Sequence, residues 1–271
     1  MSKRMNLDMQ ERALKSLVDN SGFQFTNTFF PYTSGQIGPY FVQSADVMKN
    51  GESFRKAIED MSTATSYLDS NNVDDLIISG GETRDWIFSN PVGSELCLPT
   101  VMLYKDGKTV GADMKDKKVF HIADLNNEGS SPRDYWIPII RKAGGKIDKI
   151  LFYVDRMEDG VEEMRKLGLE SYAIAPLNAH AWNFLQYLPG SRVTPEIHTS
   201  LRERLENKEN WARRMLKSDI GLARYNELLT NPKTTEKALK IVRVGYPDMR
   251  DELSDRLLKV GVRLSDYEGK K

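Results

Sequence analysis

At 271 residues, with 39% hydrophobic and 29% charged side chains, the chain suits one large domain, or one α/β domain with an appendage. Its 39 basic residues equal its 39 acidic ones, a balance that gives no support for a nucleic-acid or membrane-surface protein. The single cysteine, Cys97, excludes an internal disulfide and points to a reducing, cytoplasmic setting.

Residues 1–12 are charged and lack the apolar stretch of a secretory leader. No run of about eighteen apolar residues suggests a membrane span. Segment 8–19 reads as a helix with Leu14, Leu17 and Val18 on one face. Segment 22–38, rich in aromatics, Thr, Gly and Pro, reads as strands and turns. Segment 52–69 returns to helical spacing, with Phe54, Ala57, Ile58, Met61 and Leu68 as the stripe. Short apolar runs follow at 75–79, 100–104, 119–123, 150–154 and, more weakly, 172–175. Helical segments mostly separate them, which predicts a parallel sheet covered on both faces. Cys97 lies in the apolar context Glu95-Leu96-Cys97-Leu98, which predicts a buried structural thiol.

The helix after the third run is well marked. Ser131 is placed to cap it, Pro132 suits its first position, and Asp134 completes a capping-box spacing. Tyr135, Ile139, Ile140 and Ala143 form its apolar face, Gly144-Gly145 end it, and Pro138 predicts a kink. Segment 159–167 is a further helix, stopped by Gly168. From Pro195 the pattern is all-helical. Ile197, Leu201, Leu205, Ala212, Met215 and Leu216 fit one amphipathic helix, Asn231-Pro232 breaks the chain, and helices are expected near 234–243 and 248–260. The expected division is an α/β domain over 1–194 and a helical extension over 195–271.

Open parallel sheets bind ligands at the carboxyl ends of their strands. Three such ends carry polar loops, at 80–85, 105–108 and 124–131. The third joins a strand, a Gly-Ser-Ser loop and a helix start, where backbone N–H groups and the helix dipole favour an anion. His121 lies within the third strand and reads as a buried, hydrogen-bonded side chain. His180 and His198 are isolated. No spacing suggests a zinc site, and there is no nucleophile elbow.

Five segments resemble the type I phosphoribosyltransferases, and among them the orotate branch. Residues 119–131, an apolar strand running into Ala123-Asp124-Leu125-Asn126-Asn127-Glu128-Gly129-Ser130-Ser131, resemble the phosphoribosyl-pyrophosphate motif. Ser34-Gly35-Gln36-Ile37-Gly38-Pro39-Tyr40-Phe41 resembles the family's N-terminal segment. Residues 79–85 fall where the family has its pyrophosphate loop. Tyr104-Lys105-Asp106-Gly107-Lys108 resembles the entry to its basic catalytic loop, and Val154-Asp155-Arg156-Met157-Glu158 its Asp-Arg segment.

The resemblance covers about residues 8–190. It implies an open, mainly parallel twisted sheet flanked by helices, with an N-terminal strand-and-turn hood and a C-terminal helical extension. It also implies transfer of a phosphoribosyl group from phosphoribosyl pyrophosphate to a pyrimidine base, with Mg²⁺, in a homodimer. Carried over, Asp124 is the ribose-contacting acid. Asn126, Asn127, Gly129, Ser130 and Ser131 cradle the 5′-phosphate, Arg84, Lys105 and Lys108 face the pyrophosphate, and Tyr40, Phe41 and Arg156 sit at the base. No resident metal ligand is implied. Structural alternatives stand beside these roles: an Arg84–Asp85 ion pair, solvated turn lysines, core aromatics, and an Arg156 paired with Glu158 or Asp159.

Several positions depart from the family pattern. Ala123 replaces its first acid, Thr33 replaces a basic residue, and the loop after Lys105 is short. Glu128 places a negative charge in the phosphate loop, where two like charges about 4 Å apart repel by several kcal/mol. The alternative expectation is therefore a non-catalytic protein of this fold that binds a nucleotide or phosphoribosyl pyrophosphate.

Overall fold

A computed structural model describes residues 3–69 and 76–268. Asp75, the first residue of the expected strand 75–79, lies outside the described residues. The elements run α1 (Lys3–Asp19), β1 (Phe23–Pro31), β2 (Ile37–Val42), α2 (Gly51–Leu68), β3 (Leu76–Gly81), α3 (Trp86–Glu95), β4 (Thr100–Leu103), β5 (Thr109–Gly111) and β6 (Lys118–Asn126). They continue α4 (Ile137–Lys142), β7 (Lys146–Asp155), α5 (Asp159–Lys166), β8 (Glu170–Pro176) and α6 (Ala179–Tyr187). The last are α7 (Pro195–Glu206), α8 (Lys208–Lys217), α9 (Asp219–Thr230), α10 (Thr235–Lys240) and α11 (Arg250–Lys259).

Contacts divide the chain into two compact units, Met1–Gly22 with Gln43–Gly190, and Phe23–Val42 with Ser191–Lys271. The first holds a six-stranded sheet of order β5-β4-β3-β6-β7-β8. Every pairing is parallel except β4 with β5. The expected apolar runs are these strands. β6 and β7 are buried over most of their length, as strands covered on both faces must be. Neighbouring residues of β3 show the two covers. A Cβ at Gly80 would meet Ser89 of α3, and one at Gly81 would meet the Trp136 indole. Successive residues point to opposite faces, so α3 and the helix around Trp136 lie on opposite sides of the sheet.

The second unit contains the antiparallel hairpin β1–β2 and the C-terminal helices. Phe29 and Ile37 from the hairpin join Trp211, Tyr225, Leu239 and Tyr246 in one apolar cluster. Arg204 Nε donates to the Ile37 carbonyl at 3.2 Å, and the Tyr246 hydroxyl donates to Gln36 at 2.6 Å. The strand-and-turn segment expected as a hood on the α/β domain thus packs with the helices, and the division differs from the expected one at residues 194 and 195.

Other details differ for identifiable reasons. The single helix expected over 197–216 is two, because Asn207 leaves helical geometry and its side chain accepts from the Asn210 N–H as the cap of α8. Ser218 caps α9 in the same way. Helix α6, capped by Asn178, and strand β5 were not foreseen. Cys97 is exposed. Leu98 N–H bonds back to Gly93 O at 2.9 Å, closing a helix-ending turn that holds Cys97 at φ +55°, with its thiol outward.

Ser131 is already helical and makes no capping bond, and Asp134 pairs with Arg133 at 2.7 Å in solvent. The kink expected from Pro138 takes the form of a π turn over Pro132–Trp136. Its wider winding rotates the preceding residues, so Trp136 is buried and Tyr135 exposed. Gly144, at φ +83°, ends α4 as expected, with Gly145 N–H bonded to Ile140 O at 3.0 Å.

Candidate functional site

The sheet order fixes where a ligand fits. From β3 the chain moves outward to β4 on one side, and β6 and β7 build outward on the other. The adjacent carboxyl ends of β3 and β6 therefore form a topological switch point, where open α/β sheets bind ligands. A cleft of about 450 Å³ opens there, lined by Glu82, Arg84, Asp85, Lys105, Asp124 and Ser131 among others. The Glu82–Thr83 peptide beside it is cis.

Asp124 lines this cleft and is only 9% exposed. Ser44 Oγ donates to its Oδ2 at 2.9 Å, and its own N–H donates to Asp85 Oδ1 at 3.0 Å. The other Asp85 oxygen accepts from Gly81 N–H at 3.1 Å. Asp85 is thereby the clasp that ties β3 to β6 at the switch point. Burial first, and the charge of Asp85 second, push the Asp124 carboxyl up to about 7, while Ser44 and the charge of Arg84 act in the opposite direction. A buried carboxyl with a raised pKa, lining a cleft, makes Asp124 a candidate functional group.

The basic residues divide. Arg84 and Lys105 line the cleft. Lys105 N–H is held by Glu82 at 2.9 Å, and its ammonium lies 5.6 Å over the Tyr135 ring. Lys108 does not line the cleft. Tyr104–Lys108 closes as a tight hairpin with Gly107 at φ +90°, and the Lys108 ammonium sits 5.2 Å over Tyr104.

The loop after β6 is fastened to the turn after β7. Asn126, buried, donates from Nδ2 to Asp155 Oδ2 at 2.9 Å. Arg156 N–H and Gly160 N–H donate to the Asn126 and Asn127 carbonyls, each at 3.0 Å. Burial raises the pKa of Asp155, against the pull of Asn126 and the Met157 N–H. Gly129 takes φ +69°, and Arg133 N–H closes on its carbonyl at 3.0 Å. Ser131 reaches the cleft, but Asn126, Asn127, Gly129 and Ser130 do not line it, and neither does Arg156. Glu128 lies outside the cleft lining as well, and its charge acts on Arg133.

Arg156 is buried and paired with Glu158 at 3.0 Å, the structural alternative foreseen for it. Tyr40 and Phe41 belong to the other unit, Tyr40 buried and accepting at its carbonyl from the Tyr32 hydroxyl, Phe41 exposed. His121 is buried and bonded to Ser79 Oγ at 2.9 Å, as expected. Ser44 and Asp85 were not foreseen in this role. Ser44 lies eighty positions from its partner, and Asp85 reads in sequence as a partner for Arg84.

Gly160 is a further tight point, since a Cβ there would lie 2.1 Å from Asn126 Oδ1 and 2.7 Å from the Asn127 carbonyl. Gly160→Ala is expected to cost about 1–3 kcal/mol through this overpacking, read as a lower urea midpoint; a wild-type midpoint would show that the loop yields freely.

No family model matches the chain. Among curated proteins, orotate phosphoribosyltransferase of Sulfolobus acidocaldarius is 26% identical over 167 residues, which span 59% of this chain and 81% of that protein. The enzyme of the same name from Staphylothermus marinus is 24% identical over 183 residues, 65% of this chain and 85% of its own. At this low identity the chain is similar to curated orotate phosphoribosyltransferases. Solved structures agree on the fold. Leishmania donovani UMP synthase superposes with a TM-score of 0.61 at 21% identity, covering 73% of this chain, and this chain spans 42% of that protein's length. Orotate phosphoribosyltransferase from Francisella tularensis gives 0.56 at 16% identity over 70% of this chain and 96% of its own. Among the described residues no helix is long and apolar enough to cross a membrane.

Proposed function

We propose that the chain transfers a phosphoribosyl group from phosphoribosyl pyrophosphate to a pyrimidine base of the orotate type, in pyrimidine nucleotide synthesis. The observation that carries this reading is the convergence of Asp124, Arg84, Lys105 and Ser131 on one cleft at the switch point. In such a transfer the bond from the ribose anomeric carbon to pyrophosphate breaks, a bond to the base nitrogen forms, and that nitrogen loses its proton. Positive charge develops on the sugar and negative charge on the leaving group. Ionised Asp124 suits the first, holding ribose hydroxyls and facing the developing cation, and Arg84 and Lys105 suit the second. Ser131, the one residue of the expected cradle that lines the cleft, suits the 5′-phosphate end. Tyr40, Phe41, Asn126, Asn127, Gly129, Ser130, Lys108 and Arg156 keep their proposed substrate roles on the sequence resemblance alone.

Among the described residues no group of three His, Cys, Asp or Glu side chains could hold a metal ion. Both Asp85 oxygens are already engaged by backbone N–H groups. This donor set does not fit a resident metal, so magnesium belongs to the proposal as a cation carried on the pyrophosphate oxygens of the substrate. A cytoplasmic homodimer is part of the same proposal, and sedimentation reads the dimer.

The second reading, a non-catalytic binding module, is favoured by Ala123, buried where the family has an acid, and by the short hairpin that carries Lys105. The decisive test is loss of orotate absorbance with phosphoribosyl pyrophosphate and Mg²⁺. Turnover abolished by Asp124→Ala supports the enzyme. Absence of turnover at high protein concentration overturns it, and calorimetric binding of phosphoribosyl pyrophosphate would then favour the module. Lys105→Ala is expected to cut turnover by roughly 10²-fold, the scale of one transition-state charge donor, with a much smaller loss for Lys108→Ala.

A further inference from the structure

His121 is a buried titratable side chain that the proposed reaction does not use. It is fully buried in the middle of β6. Its Nδ1 is 2.9 Å from Ser79 Oγ on the adjoining strand. Its Nε2 has no hydrogen-bond partner among the described residues, yet lies 3.6 Å from Asp85 Oδ2. Asp85 in turn holds the Asp124 N–H. A line of contacts therefore runs Ser79, His121, Asp85, Asp124, from the interior of the sheet to the cleft. Its other neighbours on the strands are apolar. Its β7 neighbour is Ile150, and Val119 and Ala123, which share its face of β6, belong to clusters with Trp136, Ile137 and Ile140. Among the described residues Asp85 is the one charged group shown against the ring; Arg84 acts on Asp124 from the cleft.

We infer that His121 is a positioning residue of the site, acting through Asp85 to keep Asp124 available in its ionised form. The inference rests on the reading of Asp124 as the ribose-contacting acid. With the Ser79 hydroxyl donating to Nδ1, the ring proton sits on Nε2 and faces the Asp85 carboxylate. A movement of less than 1 Å brings that pair to hydrogen-bond distance. The N–H dipole offsets the negative charge of Asp85, which opposes ionisation of its neighbour Asp124. Without the imidazole, Asp85 faces Asp124 uncompensated, and Asp124 holds its proton to higher pH.

The test follows the Asp124 carboxyl itself in substrate-free protein, by carbon NMR of Asp-labelled chain across pH, with the resonance assigned by its loss in Asp124→Asn. In His121→Leu the Asp124 midpoint is expected to rise by about one pH unit, a tenfold change in proton affinity. His121→Gln, whose amide can still donate to Asp85, is expected to restore most of it. Ser79→Ala, which releases the ring from its fixed tautomer, is expected to move the midpoint the same way by less, and serves if the leucine variant does not fold. An unmoved midpoint in a folded His121→Leu protein, or in Ser79→Ala should the leucine variant not fold, overturns the inference. Because the readout needs no substrate, a shifted midpoint in a protein that neither binds nor turns over phosphoribosyl pyrophosphate would sustain the contact chain and count against the reaction alone.

Discussion

Asp124→Asn is expected to abolish turnover while making the folded protein more stable above neutral pH. The two effects share one cause. Burial and the neighbouring Asp85 charge raise the Asp124 carboxyl to about 7, far above the roughly 3.9 of an unfolded chain. Between those values the native state binds a proton that the unfolded state does not, so stability falls as pH rises across that window. Below about pH 4 both states are protonated and the full contribution is present. Above about 7 it is lost. At about 1.4 kcal/mol per pH unit, the cost by pH 8 is on the order of 2–4 kcal/mol, with the coupling to Asp85 favouring the lower figure. Asparagine removes the charge and keeps an oxygen to accept from Ser44. Urea unfolding at pH 5 and pH 8 reads the effect. The variant should gain on wild type at pH 8 and approach it at pH 5. Equal midpoints at both pH values would mean that Asp124 carries no such burden.

The largest loss of stability is expected at Trp136→Ala. The indole is 2% exposed and packs with Ile77, Val101, Leu103, Met114, Val119 and Ile140. It also fills the space over Gly81, where a Cβ would lie 2.1 Å from Cε2. Removing a buried tryptophan costs about 3–5 kcal/mol, a large part of the 5–15 kcal/mol that holds a typical domain together. The site should suffer as well, because Trp136 lines the cleft. A loss below about 1 kcal/mol would show that the sheet collapses onto the vacancy at little cost. Gly81→Ala probes the same contact from the other side, with a clash in place of a cavity.

The parts of the fold that were legible in sequence are those where burial is uniform. β3, β6 and β7 read as apolar runs because helices cover both faces. Asp124 stood out as a carboxylate ending such a run. Where backbone geometry decided, the sequence pattern misled. The apolar spacing runs through Asn207 without a change of phase, so only the capping side chain marks the break. A π turn forced ahead of Pro138 rotated the expected face from Tyr135 to Trp136. Strand β5 has three exposed residues and so no hydrophobic signal. Cys97 has apolar neighbours, yet its left-handed backbone turns it outward. Ser44 and Asp85 were illegible for a different reason. Their roles exist only as contacts with the backbone or side chain of residues distant in the chain, Asp85 with Asp124 and Ser44 with the same carboxylate.

The cleft at the switch point is the centre of this account, and titration calorimetry of phosphoribosyl pyrophosphate with Mg²⁺ at pH 6 and pH 8 tests it most directly. The wild-type protein is expected to bind several-fold more tightly at pH 8, because Asp124 must ionise to accept the ribose hydroxyls, and Asp124→Asn is expected to bind weakly and lose that part of the pH dependence. The substrate's own phosphates also titrate near pH 6, and the difference between the two proteins removes their contribution. Absent binding, or an identical pH dependence in both proteins, would contradict the assignment of this cleft.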